Sequence, residues 1–281
     1  DHWGGGRDLR NQKIRVLHSL SFMDDPTRIL RAVRLEQRLN FQIVDRTLEL
    51  LNEAISLLDR VSGERIRSEF DTIFNEPKFA EIMARLQTLG LLKAINPALV
   101  WDPWIEARME AIRHFEPPDS WRLEEPTERD FLYYAVWLFR LTPKEAEGVG
   151  HRLRFPAAVL GDILQAVGLN SFLQSLAETP VPSTIVARLD GVQERALMAS
   201  CLAFNDLPEI CQILKKYLGE WRFIQPKLDG EVLRAMGLPQ GPIYGEILWK
   251  LRAAWLDGEI RDEVQEKALM ETLVKDVLAG D

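Results

Sequence analysis

Apolar residues return along this chain at intervals of three and four, the spacing that builds one apolar face on a helix. Read this way, the pattern predicts helices over about 25–40, 46–60, 63–75, 78–95, 101–115, 129–141, 143–154, 157–177, 183–189, 194–204, 207–223, 229–236, 242–256 and 261–278. The punctuation agrees with the periodicity. Asp25-Pro26 opens one helix, and Thr142-Pro143-Lys144-Glu145 reads as a capping box with proline at the first helical position. Gly90, Gly219, Gly237 and Gly258 stand as stops. No stretch alternates like a strand between hairpin turns, the first fifteen residues being the one place where extended chain is allowed. The expected fold class is all-α.

Two breaks interrupt the helices. Residues 116–127 form a proline-rich acidic linker and residues 178–183 a shorter one. Leu-Asp-Gly recurs at 189–191, 228–230 and 256–258, but unequal intervals and unlike flanks mark turns rather than a structural repeat. At 281 residues, 46% apolar and 28% charged, the chain has material for two or three modest domains. No apolar run approaches the ~20 residues of a membrane helix and no signal-peptide pattern opens the chain, so no membrane partner and a cytoplasmic location are expected. Cys201 and Cys211 stand in apolar surroundings and are expected to be buried thiols.

The net charge of −8 argues at first against a nucleic-acid partner, but it is unevenly spread. Residues 1–40 carry eight Lys and Arg against five Asp and Glu, and the excess of acid lies beyond residue 100. A phosphate-binding face is therefore expected near the N-terminal helices. Several other constellations reduce to structure. Asp229-Gly-Glu231 and Asp257-Gly-Glu259 mimic paired metal carboxylates but sit at helix ends, where Asp-Gly is turn chemistry. His2, His18, His114 and His151 share no ligand spacing, and Gly4-Gly-Gly6 lacks the Gly-Lys-Ser/Thr that completes a P-loop. Most of the eight tryptophans lie on helical faces and read as core.

Residues 22–34, Phe-Met-Asp-Asp-Pro-Thr-Arg-Ile-Leu-Arg-Ala-Val-Arg, carry the most information. Asp25 caps the predicted helix, and Arg28 lies three positions on, on the same face of its first turn. A carboxylate beside a guanidinium accepts from an exocyclic amino group and donates to the adjacent ring nitrogen, the edge that cytosine and adenine present and uracil and guanine do not. The same residues also serve as an ordinary helix start with Arg28 in water, although a cation in the first turn opposes the helix dipole by about 0.3–1 kcal/mol. At ~100° per residue Arg28, Arg31, Arg34 and Arg38 share one side of the helix. That stripe is either a solvated face or a track for triphosphate and RNA.

Around the pair run Asp1-His-Trp-Gly-Gly-Gly-Arg-Asp8-Leu9, Ile14-Arg15, Arg31-Ala-Val-Arg34-Leu and Ser62-Gly-Glu64-Arg65-Ile66. This succession resembles the class II tRNA nucleotidyltransferase and bacterial poly(A) polymerase family. In that family a D-x-x-G-G-x-x-D-L hinge precedes an I-R pair, an (E/D)-D-x-x-R base-reading motif, an R-A-x-R helix and an S-x-E-R-I segment. Residues 228–273, with Asp229-Gly-Glu-Val-Leu, Gly237-Leu-Pro-Gln-Gly-Pro-Ile-Tyr-Gly245 and Ala254-Trp-Leu-Asp-Gly-Glu-Ile, are similar to the family's C-terminal tail.

The resemblance implies an elongated multi-helix chain with a hinge remnant at 1–22, a neck at 23–77, a body at 78–180 and a tail at 181–281. It implies nucleotide-binding roles for Asp25 and Arg28, with Asp24 fixing the helix mouth and Arg31 reaching base or phosphate. RNA-binding roles follow for Arg34, Arg38 and Arg65, and hinge roles for Asp1, Gly5 and Asp8. The family's catalytic head, with its G-S motif and D-x-D carboxylates, has no counterpart in the sequence. The chain is thus expected to be a C-terminal fragment, a cleaved product or half of a split enzyme, inactive alone. Mg2+ would be bound by a head supplied from a preceding region or a separate chain. ATP and CTP would be the substrates and the tRNA 3′ end and acceptor arm the partner. The expected function is selection of C and A for addition to tRNA 3′ ends. A CC-adding, A-adding or poly(A)-polymerase relative is an alternative, as is a non-catalytic helical RNA-binding or scaffold protein.

Overall fold

The computed structural model describes residues 4–123, 128–176 and 181–279, so Asp1 and linker positions 124–127 and 178–180 lie outside the described residues. The described chain is all-α apart from one two-stranded ladder. In order the elements are α1 (Gly5–Arg10), β1 (Lys13–Ile14), α2 (Ser21–Asp24), α3 (Thr27–Leu39), β2 (Gln42–Ile43) and α4 (Asp45–Ala54), whose end tightens into a 3-10 turn over Ile55–Arg60. Next come α5 (Gly63–Phe74), α6 (Phe79–Thr88), α7 (Leu91–Ile95), α8 (Pro103–Arg113), α9 (Arg129–Leu138), α10 (Pro143–Arg152) and α11 (Ala157–Gln174). The remainder is α12 (Pro182–Leu189), α13 (Glu194–Ala203), α14 (Pro208–Gly219), α15 (Gly230–Ala235), α16 (Pro242–Leu256) and α17 (Glu263–Ala279).

Local chemistry explains most boundaries. Thr142 and Glu145 complete the expected capping box, the Glu145 amide donating to Thr142 Oγ1 at 3.3 Å and the Thr142 amide to Glu145 Oε2 at 2.9 Å. Asp229 caps α15 by accepting from the amide of Glu231 at 2.9 Å, and Asp257 accepts from the amide and hydroxyl of Ser183. Both aspartates act as caps and turns. The run expected as one helix over 78–95 is two, because Gly90 takes φ +73° and breaks it between α6 and α7. Two short helices, α1 and α2, and the second strand were not expected. The ladder pairs β1 with β2 in parallel, Lys13 opposite Gln42 and Ile14 opposite Ile43, and two-residue strands carry no alternation to read.

The chain divides into two compact units. The first holds residues 1–115, 126–171 and 193–203, centred on α9, which packs against α5, α8 and α13. Trp137 on α9 meets Phe70 edge to face at 5.1 Å, and its indole N–H donates to the Val100 carbonyl at 2.7 Å, so a buried aromatic keeps its polar end satisfied. The second unit holds 116–125, 172–192 and 204–281. There α16 packs on α12 and α17 around Leu233, Leu238, Ile247, Leu251, Met270 and Val274. Cys201 and Cys211 are both buried. No helix among the described residues is long and apolar enough to cross a membrane.

Candidate nucleotide-selecting site

Three neighbouring elements build the site: α2, α3 and α5. Helix α3 buries Ile29, Leu30, Ala32 and Val33 and packs on α5 and α6, leaving the arginine side outward. Its buried Glu36 accepts from Arg85 of α6 at 2.9 Å and from the Ile43 amide at 3.2 Å, which locks α3 to its surroundings. The start of α5 is fixed from the other side. Arg152 donates to the carbonyls of Leu58 and Val61, and Gly63 lies so close to Arg152 that a Cβ there would sit 2.2 Å from the Arg152 carbonyl oxygen. That contact sets where the first turn of α5 delivers Arg65.

Asp25 occupies the mouth of α3 with extended backbone, one residue before Pro26. Its Oδ1 accepts from the Thr27 amide at 3.2 Å and the Thr27 hydroxyl at 2.6 Å, and its carbonyl accepts from the Arg28 amide at 3.1 Å. Asp25 therefore starts the helix as its sequence position foretells. Its charged partner is Arg65, whose Nη2 donates to Oδ1 at 2.8 Å and to the Thr27 hydroxyl at 3.2 Å. Arg28 turns the other way, its Nη1 donating to Ser21 Oγ at 2.9 Å and to the Ser21 carbonyl at 3.3 Å. Asp25 and Arg28 thus both stand at the α3 mouth, without a bond to one another. Each group is held by its own partner at the same mouth, because α5 brings a second cation to Asp25 and α2 offers acceptors that relieve Arg28 of the unfavourable dipole. All the Asp25 side-chain bonds use Oδ1 and all the Arg28 bonds use Nη1, which leaves Oδ2 as acceptor and Nη2 and Nε as donors.

Partial burial pushes the Asp25 carboxyl up, but the hydrogen bonds from Thr27 and the Arg65 charge outweigh it and hold the group below its ordinary value. A depressed folded-state pKa means that the bonds of Asp25 contribute fully above the unfolded value, near 3.8. The contribution fades as pH falls through the folded value. Asp25→Asn is therefore expected to lower stability at neutral pH and to narrow its gap to the parent below about pH 4, as read by urea unfolding at stepped pH. A gap independent of pH would show that the ionised form carries none of the contribution.

The arginine stripe is real but not free. Glu69 and Glu76, both buried, face it from α5 and the residue pair beyond its end. Arg31 Nε donates to Glu69 at 2.6 Å, Arg34 lies 3.3 Å from Glu76 and 3.9 Å from Glu69, and Arg38 lies 3.4 Å from Glu76. Two carboxylates against four guanidinia leave the stripe net positive, with Arg28, Arg31 and Arg38 exposed and Arg34 drawn inward. A concavity of about 200 Å³ opens between α3 and α5, lined by Thr27, Arg31, Glu64, Arg65, Ser68 and Glu69.

Asp24 ends α2 with an exposed carboxylate that lies 3.9 Å from His18. Gly5 sits in the first turn of α1, and Asp8 is paired with Arg15 at 3.0 Å. Ser21, Thr27, Glu69 and Glu76 were missed by the sequence reading. For Glu69 a signal existed, since it lies between Ile66 and Ile73 on the apolar side of α5, where a carboxylate needs a cation.

Comparison with known proteins places these features. A family model described as "Probable RNA and SrmB-binding site of polymerase A" matches residues 40–101. An A-adding tRNA nucleotidyltransferase of Geobacter sulfurreducens is 30% identical over 92% of this chain and 30% of its own length. A second, from Halalkalibacterium halodurans, is 25% identical over 94% of this chain and 60% of its own length. In structure, the Thermotoga maritima CCA-adding enzyme complexed with tRNA matches 99% of this chain and 67% of its own with a TM-score of 0.70 at 30% identity. The chain belongs to the tRNA nucleotidyltransferase and poly(A) polymerase family. It spans between about a third and two thirds of the length of these relatives.

Proposed function

We propose that this chain is the nucleotide-selecting and tRNA-binding part of a tRNA nucleotidyltransferase that adds C, A or both to tRNA 3′ ends. The observation that supports the reading is the α3 mouth, where Thr27 and Arg65 hold Asp25 through Oδ1 and Ser21 holds Arg28 through Nη1, so that Oδ2 and the Nε and Nη2 donors remain for a base. An acceptor beside donors selects the amino-bearing edges of C and A without a nucleic-acid template. In this reading residues 23–77 form the neck, 78–180 the body and 181–281 the tail, and the stripe from Arg28 to Arg38 follows phosphates. A poly(A) polymerase of the same family is the second reading, favoured by the description of the matched family model.

The reaction itself asks for metal-held carboxylates. Among the described residues no group of three or more His, Cys, Asp or Glu side chains is placed to hold a metal ion. With ATP or CTP, magnesium and tRNA lacking its 3′ terminus, the chain alone is expected to incorporate nothing. Incorporation would place the chemistry within these residues.

Binding to that same tRNA is expected to weaken steeply with salt, because each neutralised phosphate releases counterions. Arg31→Ala with Arg38→Ala should reduce the salt slope by about one unit per arginine. Lys215→Ala with Lys216→Ala on α14 should change it less. Filter binding across a salt series checks this, and the reverse order would move the RNA site off α3.

A further inference from the structure

On the first unit α6 packs inward on α3, α5 and α7, while α8 packs on α9 and α13. Their facing flanks leave a groove of about 690 Å³. Its apolar lining is made mostly of small side chains, the half-buried Ala80 and Ala84 on α6 and the exposed Ala107 on α8, beside the buried ring of Phe79. Its rim carries three exposed carboxylates, Glu81, Glu106 and Glu110, and no basic side chain lines it. Arg113 closes one end, but its guanidinium lies over Phe79 and donates to the carbonyls of Glu76 and Pro77, so its charge is engaged within the protein. A groove floored by alanines accepts the close approach of another backbone, as large floor residues would not. The distance from Pro103 to Glu110 along α8 is about 10 Å, or two helical turns.

We propose that this groove docks a basic amphipathic segment of a partner protein, a helix of two to three turns. Its small apolar side chains would lie on the alanine floor and its Lys or Arg side chains would meet Glu81, Glu106 and Glu110. Charge decides the class of occupant. Three carboxylates repel a phosphate backbone and attract a cationic peptide. The apolar floor supplies the affinity and the acidic rim the choice of partner and its orientation.

The test uses the full chain and a fluorescein-labelled helical peptide with Leu and Ala along one face and Lys on its flanks, followed by anisotropy. Against it stands a scrambled peptide of the same composition, which keeps the charge and loses the face. The parent is expected to prefer the amphipathic peptide by at least roughly tenfold. Glu81→Lys with Glu110→Lys should weaken it by a similar factor, and these exposed positions leave the Glu106 bond to the Trp101 indole intact. Glu209→Lys with Glu246→Lys, an equal charge change at exposed positions of the second unit, should have little effect. Ala107→Trp, which fills the groove from an exposed site without altering charge, should weaken binding as well. Circular dichroism melting of each variant confirms that it is folded. The proposal is overturned if the parent does not bind, if the scrambled peptide binds equally, or if the control pair weakens binding as much as the groove pair. It is also overturned if a folded Ala107→Trp binds like the parent, or if a single-stranded oligonucleotide displaces the peptide competitively.

Discussion

Arg28→Ala, in a protein that joins this chain to the family's catalytic domain, is expected to keep nucleotide transfer and lose nucleotide choice. In the proposed function Arg28, anchored by Ser21, contributes donors to the base, so its removal would take away base contacts without disturbing a reacting group. A bidentate base contact of this kind discriminates by about 1–3 kcal/mol, which is roughly five- to 150-fold in relative kcat/KM. Asp25→Ala should cost as much discrimination and also weaken the helix start by roughly 1 kcal/mol, because Thr27 and Arg65 lose their shared acceptor. The two variants are therefore separable: Arg28→Ala should melt like the parent, while Asp25→Ala should melt lower. The measurement is kcat/KM for each of the four nucleotides on tRNA lacking its 3′ terminus, beside a thermal melt of each variant. If both variants choose C and A as sharply as the parent, the pair is an ordinary helix start and the proposed function loses the observation that carries it.

The sequence made the all-α class and most helix positions legible because apolar spacing and caps are local signals. Asp25 at the start of α3, the capping box at Thr142 and the arginine side of α3 could all be read from a few neighbouring residues. What could not be read was pairing across distance. Arg65 meets Asp25 from 40 positions away, and Glu69 and Glu76 meet Arg31, Arg34 and Arg38 from about as far. Nothing in local periodicity distinguishes an arginine that binds a phosphate from one that binds a carboxylate on the next helix. The ladder of β1 with β2 was illegible for a related reason, since its register is set by where α3 ends at Asn40 and not by any alternation within two residues. The acidic groove was hidden as well, because Glu81, Glu106 and Glu110 converge only when α6 and α8 are side by side.

Glu69→Ala is expected to move stability and RNA affinity in opposite directions. The Glu69 side chain is 9% exposed and takes a 2.6 Å bond from Arg31, with Arg34 on its other oxygen at 3.9 Å. Removing it takes the bonded carboxylate from Arg31 and the nearby charge from Arg34, itself 18% exposed, which keeps Glu76 as its partner. Breaking such a pair from one side should cost about 3 kcal/mol, at the low end for buried pairs because Arg31 is half exposed and recovers water. Glu64→Ala, an exposed position one turn earlier on the same helix, should stay within about 0.5 kcal/mol of the parent. The loss of one carboxylate also makes the α3 stripe more positive, so tRNA should bind the folded variant more tightly, most clearly at low salt. Adding Arg31→Ala to Glu69→Ala removes the bonded pair together and should recover part of the stability, giving a coupling energy that neither single change explains. Urea unfolding and filter binding on the same preparations supply both quantities. A variant as stable as the parent would show that Glu69 is not paid for by its arginines, and weaker tRNA binding at unchanged fold would show that the stripe does not follow phosphates.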